Sequence, residues 1–148
     1  GWAGFFAGLM LRAPGVAQAL SELTAQDWLI ALPLSSERLQ TRGFNQAWEL
    51  ASALARQSQT RGQADAALLL RMKHTRPQSQ LGREARLTNV KGVFQVDPLR
   101  APRLAGRRVV LVDDVMTSGA SLFAATRVLR DAGAAHITAV VLARTPPA

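Results

Sequence analysis

The sequence contains no cysteine, and this absence excludes a disulfide framework and any zinc site built from thiolate ligands. It also contains no apolar run near the length of about 18 residues that a membrane-spanning helix requires, so no span is predicted. A chain without disulfides is compatible with a reducing compartment. We therefore expect a cytoplasmic location.

The chain has the length of one domain, at 148 residues. Apolar residues make up 48% of it, which is enough to form a buried core. The segment WAGFFAGLM, residues 2–10, has apolar side chains at helical spacing and predicts a helix. Because the chain opens inside this helical pattern, we expect a single domain over residues 1–148 that is truncated at its N-terminus.

Positive charge is concentrated in one segment, residues 71–108. This segment carries ten basic and two acidic side chains, which accounts for the whole net charge of +8, while the rest of the chain has eight of each sign. Such a patch attracts polyanions, so nucleic acid and a phosphorylated small molecule are both candidate partners. A solvated, arginine-rich surface is the alternative. The ten basic residues are Arg71, Lys73, Arg76, Arg83, Arg86, Lys91, Arg100, Arg103, Arg107 and Arg108.

Apolar runs that alternate with helical patterns indicate the fold class. The predicted strands are residues 28–33, 67–72, 92–96, 107–112 and 136–143. One helix is predicted after Asn45, a favourable N-cap residue, and another over residues 122–129, which Gly133 can end. The polar residues 34–44 predict a loop. This order predicts an α/β fold with a mostly parallel sheet flanked by helices.

The stretch VVLVDDVMTSGAS, residues 109–121, places Asp113 and Asp114 at the end of a predicted strand. In open α/β sheets, ligands bind outside the carboxyl ends of the strands. The next residues lead into a helix N-terminus, where backbone N–H groups lack partners and the helix dipole favours an anion. Gly119 permits close approach of the backbone, and the neighbouring hydroxyls add donors. This turn therefore predicts a phosphate site.

The two carboxylates require a different part of the ligand, because they repel a phosphate. They are acceptors suited to sugar hydroxyls or to a water-coordinated Mg²⁺. A ribose 5-phosphate carries both a phosphate and vicinal hydroxyls and so fits the whole stretch. We expect Asp113 and Asp114 to be exposed to solvent, which keeps their mutual repulsion small.

The same stretch resembles the loop that binds phosphoribosyl pyrophosphate (PRPP) in type I phosphoribosyltransferases. Two further stretches, PLSSERLQTRGFNQAWELASALA and TRPQSQLGREARLTNVKGVF, resemble the ComF/GntX group of competence proteins, so the resemblance covers roughly residues 27–145. Members of this group usually begin with a cysteine-rich zinc-ribbon segment, which this chain lacks. The resemblance implies a phosphoribosyltransferase fold and a connection with DNA uptake.

The resemblance also assigns roles to residues. It implies that Asp113 and Asp114 are the catalytic pair that binds the ribose hydroxyls, with Mg²⁺ held nearby through PRPP and water and with no direct protein ligand. The implied 5-phosphate site comprises Val115, Met116, Thr117, Ser118, Gly119, Ala120 and Ser121. The basic residues 73–89 correspond to a loop that closes over PRPP. Candidates for binding pyrophosphate there or after the first strand are Ser35, Ser36, Arg38, Arg42, Arg71, Lys73 and Arg76.

Three functions remain open on this basis. The first is a Mg²⁺-dependent phosphoribosyltransferase that releases pyrophosphate from PRPP and transfers the ribosyl group to an acceptor the sequence does not name. The second is a PRPP or nucleotide sensor without turnover. The third is a module that binds single-stranded DNA during DNA uptake, although Phe94 is the only aromatic residue of the basic segment and base stacking needs aromatics. A homo-oligomer is compatible with all three.

Overall fold

The computed structural model describes residues 1–72, 93–116 and 119–144. Its helices are α1 (Trp2–Met10), α2 (Pro14–Ser21), α3 (Ser36–Arg42), α4 (Gln46–Ser58) and α5 (Ala120–Asp131), with a 3₁₀ helix at Ala101–Leu104. Its strands are β1 (Trp28–Ala31), β2 (Gln63–Asp65), β3 (Leu69–Arg71), β4 (Phe94–Val96), β5 (Arg108–Met116) and β6 (His136–Arg144). Among these elements, no helix is both long and apolar enough to cross a membrane.

Four of the described strands form a parallel sheet in the order β2-β1-β5-β6. From β1 the chain passes through α4 to β2 on one side, whereas from β5 it passes through α5 to β6 on the other side. The direction of winding therefore reverses between β1 and β5, and ligands of open α/β sheets bind at such a point. The predicted α/β fold with a mostly parallel sheet flanked by helices is confirmed.

Apolar side chains cover both faces of the sheet, as the continuous apolar run of β5 predicts. Successive residues of a strand point to opposite faces. Val109 and Leu111 accordingly join the core that includes α5 and the β3–β4 pair, while Val110 and Val112 join the core against α1, α2 and α4. Burying each such side chain contributes about 1.5–3 kcal/mol relative to exposure, so β5 is held from both sides.

A buried carboxylate fixes the start of this central strand pair. Asp27, which precedes β1, accepts hydrogen bonds from the backbone N–H of Thr24 at 2.7 Å and of Arg108 at 2.8 Å. Burial opposes its ionisation, but these N–H groups outweigh burial and hold the pKa of Asp27 below its usual value. The negative charge at this position therefore stabilises the alignment of β1 with β5.

One predicted strand differs from the observed one, and one observed strand was not predicted. Residues 67–72 yield only the short strand β3, which pairs antiparallel with β4 in a separate two-stranded sheet. On the side away from β5, the parallel partner of β1 is β2, whose sequence QAD has no apolar run. An edge strand that is largely exposed carries little hydrophobic pattern, which explains why the sequence did not predict it.

The loop predicted at residues 34–44 contains the helix α3. The Ser35 side chain accepts a hydrogen bond from the backbone N–H of Arg38 at 3.2 Å and so caps the helix. Gly43 ends it at φ +80°, a left-handed conformation that glycine adopts without steric cost. Asn45 then caps α4, as predicted, by accepting from the N–H groups of Ala47 and Trp48.

Candidate functional site

A cavity of about 320 Å³ lies at the carboxyl ends of β1 and β5. It forms because β1 ends at Ala31, paired with Val112, while β5 continues alongside β6 as far as Met116. Beyond Val112, β5 has a partner on one side only among the described strands, and the cavity occupies the other side. Its lining consists of Leu32, Pro33, Leu34, Arg38, Arg42, Gln46, Arg71, Asp113, Asp114, Val115, Met116, Gly119, Ala120, Ser121 and Leu122.

The strand β5 runs through the acidic pair, and the prediction that it ends at residue 112 is wrong. Asp113 pairs with Val141 and Met116 with Arg144 on β6. The residues after the acidic pair, Val115 and Met116, suit an extended strand, and the long strand β6 supplies a partner for them. The carboxylates therefore lie on a paired strand rather than on a loop, and pairing with β6 fixes their position relative to the other residues of the cavity.

The two carboxylates occupy different environments. Asp113 is only 9% exposed, so the expectation of a solvent-exposed pair is wrong for this residue. Burial, together with the hydrogen bond and negative charge of Asp114, raises the pKa of Asp113 to about 7. The backbone N–H of Asp114, which donates to Asp113 Oδ1 at 2.9 Å, and the positive charge of Arg38 oppose this rise. Ionising both Asp113 and Asp114 therefore costs free energy.

Three arginines line the same cavity as this acidic pair: Arg38 and Arg42 on α3, and Arg71 at the end of β3. Arg42 Nη1 lies 3.6 Å from Asp114 Oδ2. The Arg71 guanidinium lies 5.3 Å from the ring centre of Phe94, and its buried Nε has no hydrogen-bond partner among the described residues. Burial, with the charge of Arg38, lowers the pKa of Arg71. Three guanidinium groups thus line one cavity, and the described residues do not pair all of their nitrogen atoms.

The turn that leads into α5 borders the same cavity. Gly119 adopts φ +80° and precedes the first residue of the helix. A Cβ at this position would lie 3.4 Å from Met116 Sδ, which is an ordinary contact, so it is the backbone conformation that favours glycine. Ala120 and Ser121 line the cavity, as do Val115 and Met116. Thr117 and Ser118 lie outside the described residues, and phosphate binding by this turn stays a prediction.

The structure brings together most of the residues that the sequence singled out, although not all of them. Asp113, Asp114, Arg38, Arg42 and Arg71 line one cavity. The Ser35 side chain caps α3 and is absent from the described lining, and Ser36 begins that helix. Lys73 and Arg76, with the rest of the predicted closing loop, lie outside the described residues.

Five residues of the lining are not among the site residues named from the sequence: Leu32, Pro33, Leu34, Gln46 and Leu122. Leu32 and Pro33 directly follow β1, and their position at a strand end was a usable signal. Gln46 is the first residue of α4, next to the predicted cap Asn45. Its role depends on how α3 and α4 meet, and no local pattern in the sequence carries that information.

Comparison with known proteins identifies the family. The chain matches the phosphoribosyl transferase domain over residues 43–147, a range that contains the acidic pair and the glycine turn. It belongs to this family. The predicted resemblance to type I phosphoribosyltransferases is therefore confirmed at the level of the domain.

Relatives with named functions come from the competence group, as predicted. The chain is 33% identical to Competence protein F of Haemophilus influenzae over 92% of its own length and 58% of that protein. It is 32% identical to DNA utilization protein YhgH of Escherichia coli O6:H1, over 87% and 54%. It is 35% identical to Competence protein ComFC of Bacillus subtilis, over 79% and 44%. The chain thus spans about half the length of these curated relatives.

A solved structure supports the fold. The crystal structure of TT1426 from Thermus thermophilus is similar to this chain with a TM-score of 0.51, over 97% of this chain and 83% of that one. Sequence identity is 18%, so the similarity concerns the fold alone.

The raised pKa of Asp113 leads to a test by pH. The carboxyl binds its proton more tightly in the folded than in the unfolded chain, so wild-type stability falls as pH rises from about 4 to about 7, by about 1.4 kcal/mol per unit of pKa difference. Asp113→Asn removes this penalty. We expect the variant to melt at a higher temperature than wild type at about pH 8 and near wild type at about pH 4, as measured by circular dichroism.

A matched control is Asp131→Asn, which removes an exposed carboxylate at the end of α5. This variant should follow the wild-type melting curve at both pH values. A difference between Asp113→Asn and wild type that stays constant from about pH 4 to about pH 8 would contradict the assignment, because only a shifted ionisation makes the difference depend on pH.

Proposed function

We propose that the protein binds PRPP together with Mg²⁺ and transfers its phosphoribosyl group to an acceptor, releasing pyrophosphate. The observation that carries this proposal is that Asp113 and Asp114 line one cavity together with Arg38, Arg42 and Arg71. A ligand that fits must present hydroxyls or a cation to the carboxylates and strong negative charge to the arginines. PRPP with a divalent cation has both, and membership of the phosphoribosyl transferase domain family supports the choice.

Each part of the cavity suits one part of PRPP. The carboxylates of β5 accept hydrogen bonds and suit the ribose hydroxyls. The start of α5 would offer backbone N–H groups to the 5-phosphate, and the residue before it, Gly119, carries no side chain. The arginines suit the pyrophosphate, because guanidinium is always charged and matches phosphate oxygens in a forked geometry. The Nε of Arg71 has no partner among the residues that the structure describes and is a donor available to such a ligand.

The carboxylate pair also fits a magnesium ion that arrives with its substrate. Among the described residues, no cluster of three or more metal-binding side chains occurs. Mg²⁺ does not need one, since it keeps several waters and is commonly bound by one or two carboxylates plus substrate phosphates. Asp113 and Asp114 would hold its hydrated form, and the ion would add positive charge beside the pyrophosphate. Its charge would also relieve the repulsion that raises the Asp113 pKa.

The chemistry would be a displacement at ribose C1. The bond between C1 and the pyrophosphate oxygen breaks, its electron pair leaves with pyrophosphate, and the acceptor forms the new bond to C1. Positive charge develops on the ribose as negative charge develops on the leaving group. Arg38, Arg42 and Arg71 would stabilise the leaving group, and Asp113 and Asp114 would hold the ribose in position.

Ligand binding is tested by thermal unfolding. PRPP with Mg²⁺, at about 100 times its Kd, should raise the free energy of unfolding by about 2.7 kcal/mol. The double variant Asp113→Asn/Asp114→Asn should fold, because it keeps the side-chain shapes and removes the repulsion, but it should lose most of this gain. The control Asp131→Asn should keep the full gain. Equal stabilisation of the double variant and wild type would rule out the proposed role of the pair.

Turnover is tested separately by release of pyrophosphate from PRPP in the presence of Mg²⁺ and a panel of nucleobases and oligonucleotides. We expect release by wild type and a loss on the order of 100-fold in Arg38→Gln, since electrostatic stabilisation of a leaving group typically contributes that much. Arg130→Gln, which removes a charge from the far end of α5, is the control and should keep wild-type activity. Stabilisation by PRPP with no release by wild type would favour the sensor over the enzyme.

The names of the relatives, which refer to competence and DNA utilization, favour single-stranded DNA as a second ligand. The basic segment is its candidate surface, but some of its charges are compensated. Arg100 forms ion pairs with Asp65 and Asp97, and Arg108 Nη1 lies 3.4 Å from Glu22. The exposed Arg103, held over the ring of Trp28, and its neighbour Arg107 are therefore the better candidates among the described residues.

DNA binding is tested by salt titration with a single-stranded oligonucleotide. Each phosphate contact contributes about −0.7 to the slope of log affinity against log salt, so Arg103→Gln/Arg107→Gln should flatten the slope by about 1.4. Arg127→Gln/Arg130→Gln removes the same charge from α5 and should change it little. Stabilisation by PRPP should survive in both variants. An absence of binding by wild type at low salt would eliminate DNA as a ligand.

A further inference from the structure

One nitrogen of Arg42 lies near two acceptors that belong to residues of the cavity lining, Gln46 and Asp114. Arg42 Nη1 donates a hydrogen bond to Gln46 Oε1 at 3.1 Å. The same atom lies 3.6 Å from Asp114 Oδ2, which is close enough for attraction between the charges but beyond hydrogen-bond range. A hydrogen bond between arginine and a carboxylate is typically about 2.7–2.9 Å long. The Arg42–Asp114 contact is therefore longer than a direct ion pair, while the same nitrogen is bonded to Gln46.

Gln46 directly follows a residue that is hydrogen-bonded to the end of β1. Asn45 Nδ2 donates to the carbonyl oxygen of Leu32, directly after β1, at 3.2 Å, and the Asn45 side chain also caps α4. Gln46 is the next residue and the first of that helix. Arg42 is the last residue of the short helix α3, just before the left-handed Gly43, and one third of its side chain is exposed. Gln46 therefore connects the Arg42 side chain to a part of the chain that is hydrogen-bonded to the end of β1.

We propose that Gln46 is a positioning residue that holds the Arg42 guanidinium away from Asp114 and so keeps this carboxylate open to ligand. Without the amide oxygen, Arg42 would close onto Asp114, and the two groups would satisfy each other. The ribose hydroxyls would lose an acceptor and the pyrophosphate a donor. This consequence for ligand binding depends on the proposed function, but the arrangement of the three side chains does not.

The arrangement is tested by crystal structures of the ligand-free wild type and of two variants. Gln46→Met keeps the length of the side chain and replaces its strong acceptor with a weak one. In this variant we expect an Arg42 nitrogen within hydrogen-bond distance of Asp114, at about 2.7–2.9 Å. Gln46→Glu keeps an acceptor for Arg42 and should retain the wild-type separation. Because residue 46 is a partly exposed first residue of a helix, neither change should prevent folding.

An Arg42–Asp114 separation in Gln46→Met that matches wild type would overturn the proposal. So would a direct Arg42–Asp114 hydrogen bond in the wild-type crystal. These outcomes are independent of PRPP, so they decide the role of Gln46 even if PRPP proves not to bind. A wild type that binds no PRPP would instead count against the proposed function.

The consequence for binding is tested by titration calorimetry with PRPP and Mg²⁺. Gln46→Met should bind about tenfold more weakly, on the order expected for loss of one hydrogen bond to a charged group. The control Gln40→Met alters an exposed glutamine of α3 and should bind like wild type. In an Arg42→Gln background, Gln46→Met should have no further effect, because Gln46 acts through Arg42. A tenfold loss that persists in this background would refute the mechanism.

Discussion

The end of pairing between β1 and β5 is the constraint on which the site depends. The two strands are aligned from Trp28 and Val109 to Ala31 and Val112 and then separate. Because β5 remains paired with β6, the acidic pair lies on a paired strand and lines the cavity beyond the end of β1. Had both strands ended together, Asp113 would be a solvated loop residue with an ordinary ionisation. The geometry of the sheet thus determines the electrostatics of the site.

The charged side chains of this cavity lie near one another, but the described ones are not fully paired. The Arg42 and Asp114 side chains come close without a direct hydrogen bond, and Arg71 retains a nitrogen with no partner among the described residues. Buried charges that lack full pairing cost stability and persist where a ligand completes them. Arg100 provides the contrast within the same chain: Asp65 and Asp97 satisfy it, and it lies outside the cavity lining. Distinguishing Arg71 from Arg100 requires the fold, because both occur in the same basic segment.

The sequence predicts those parts of the site that depend on local pattern. Apolar runs indicate the buried strands, and Asn45 indicates where a helix begins. The motif around Asp113 and Gly119 points to a phosphoribosyl ligand before any coordinates are known. The burial of Asp113 could not be predicted, because it depends on where β1 stops and on how far β6 extends. The sequence also hides α3, because its seven residues carry mostly polar side chains, and the edge strand β2, which has no apolar pattern at all.

The pairing of β1 with β5 also dictates when the site can form during folding. Asp27 and Arg108 are joined by a hydrogen bond although 81 positions separate them, and contacts of such long range form slowly because a large loop must close first. During synthesis β1, α3, α4 and β2 emerge well before β5 exists. A nascent chain therefore presents Arg38 and Arg42 without the carboxylates that face them in the finished protein. Until β5 is in place, this part of the cavity carries positive charge without the negative charge that β5 later adds.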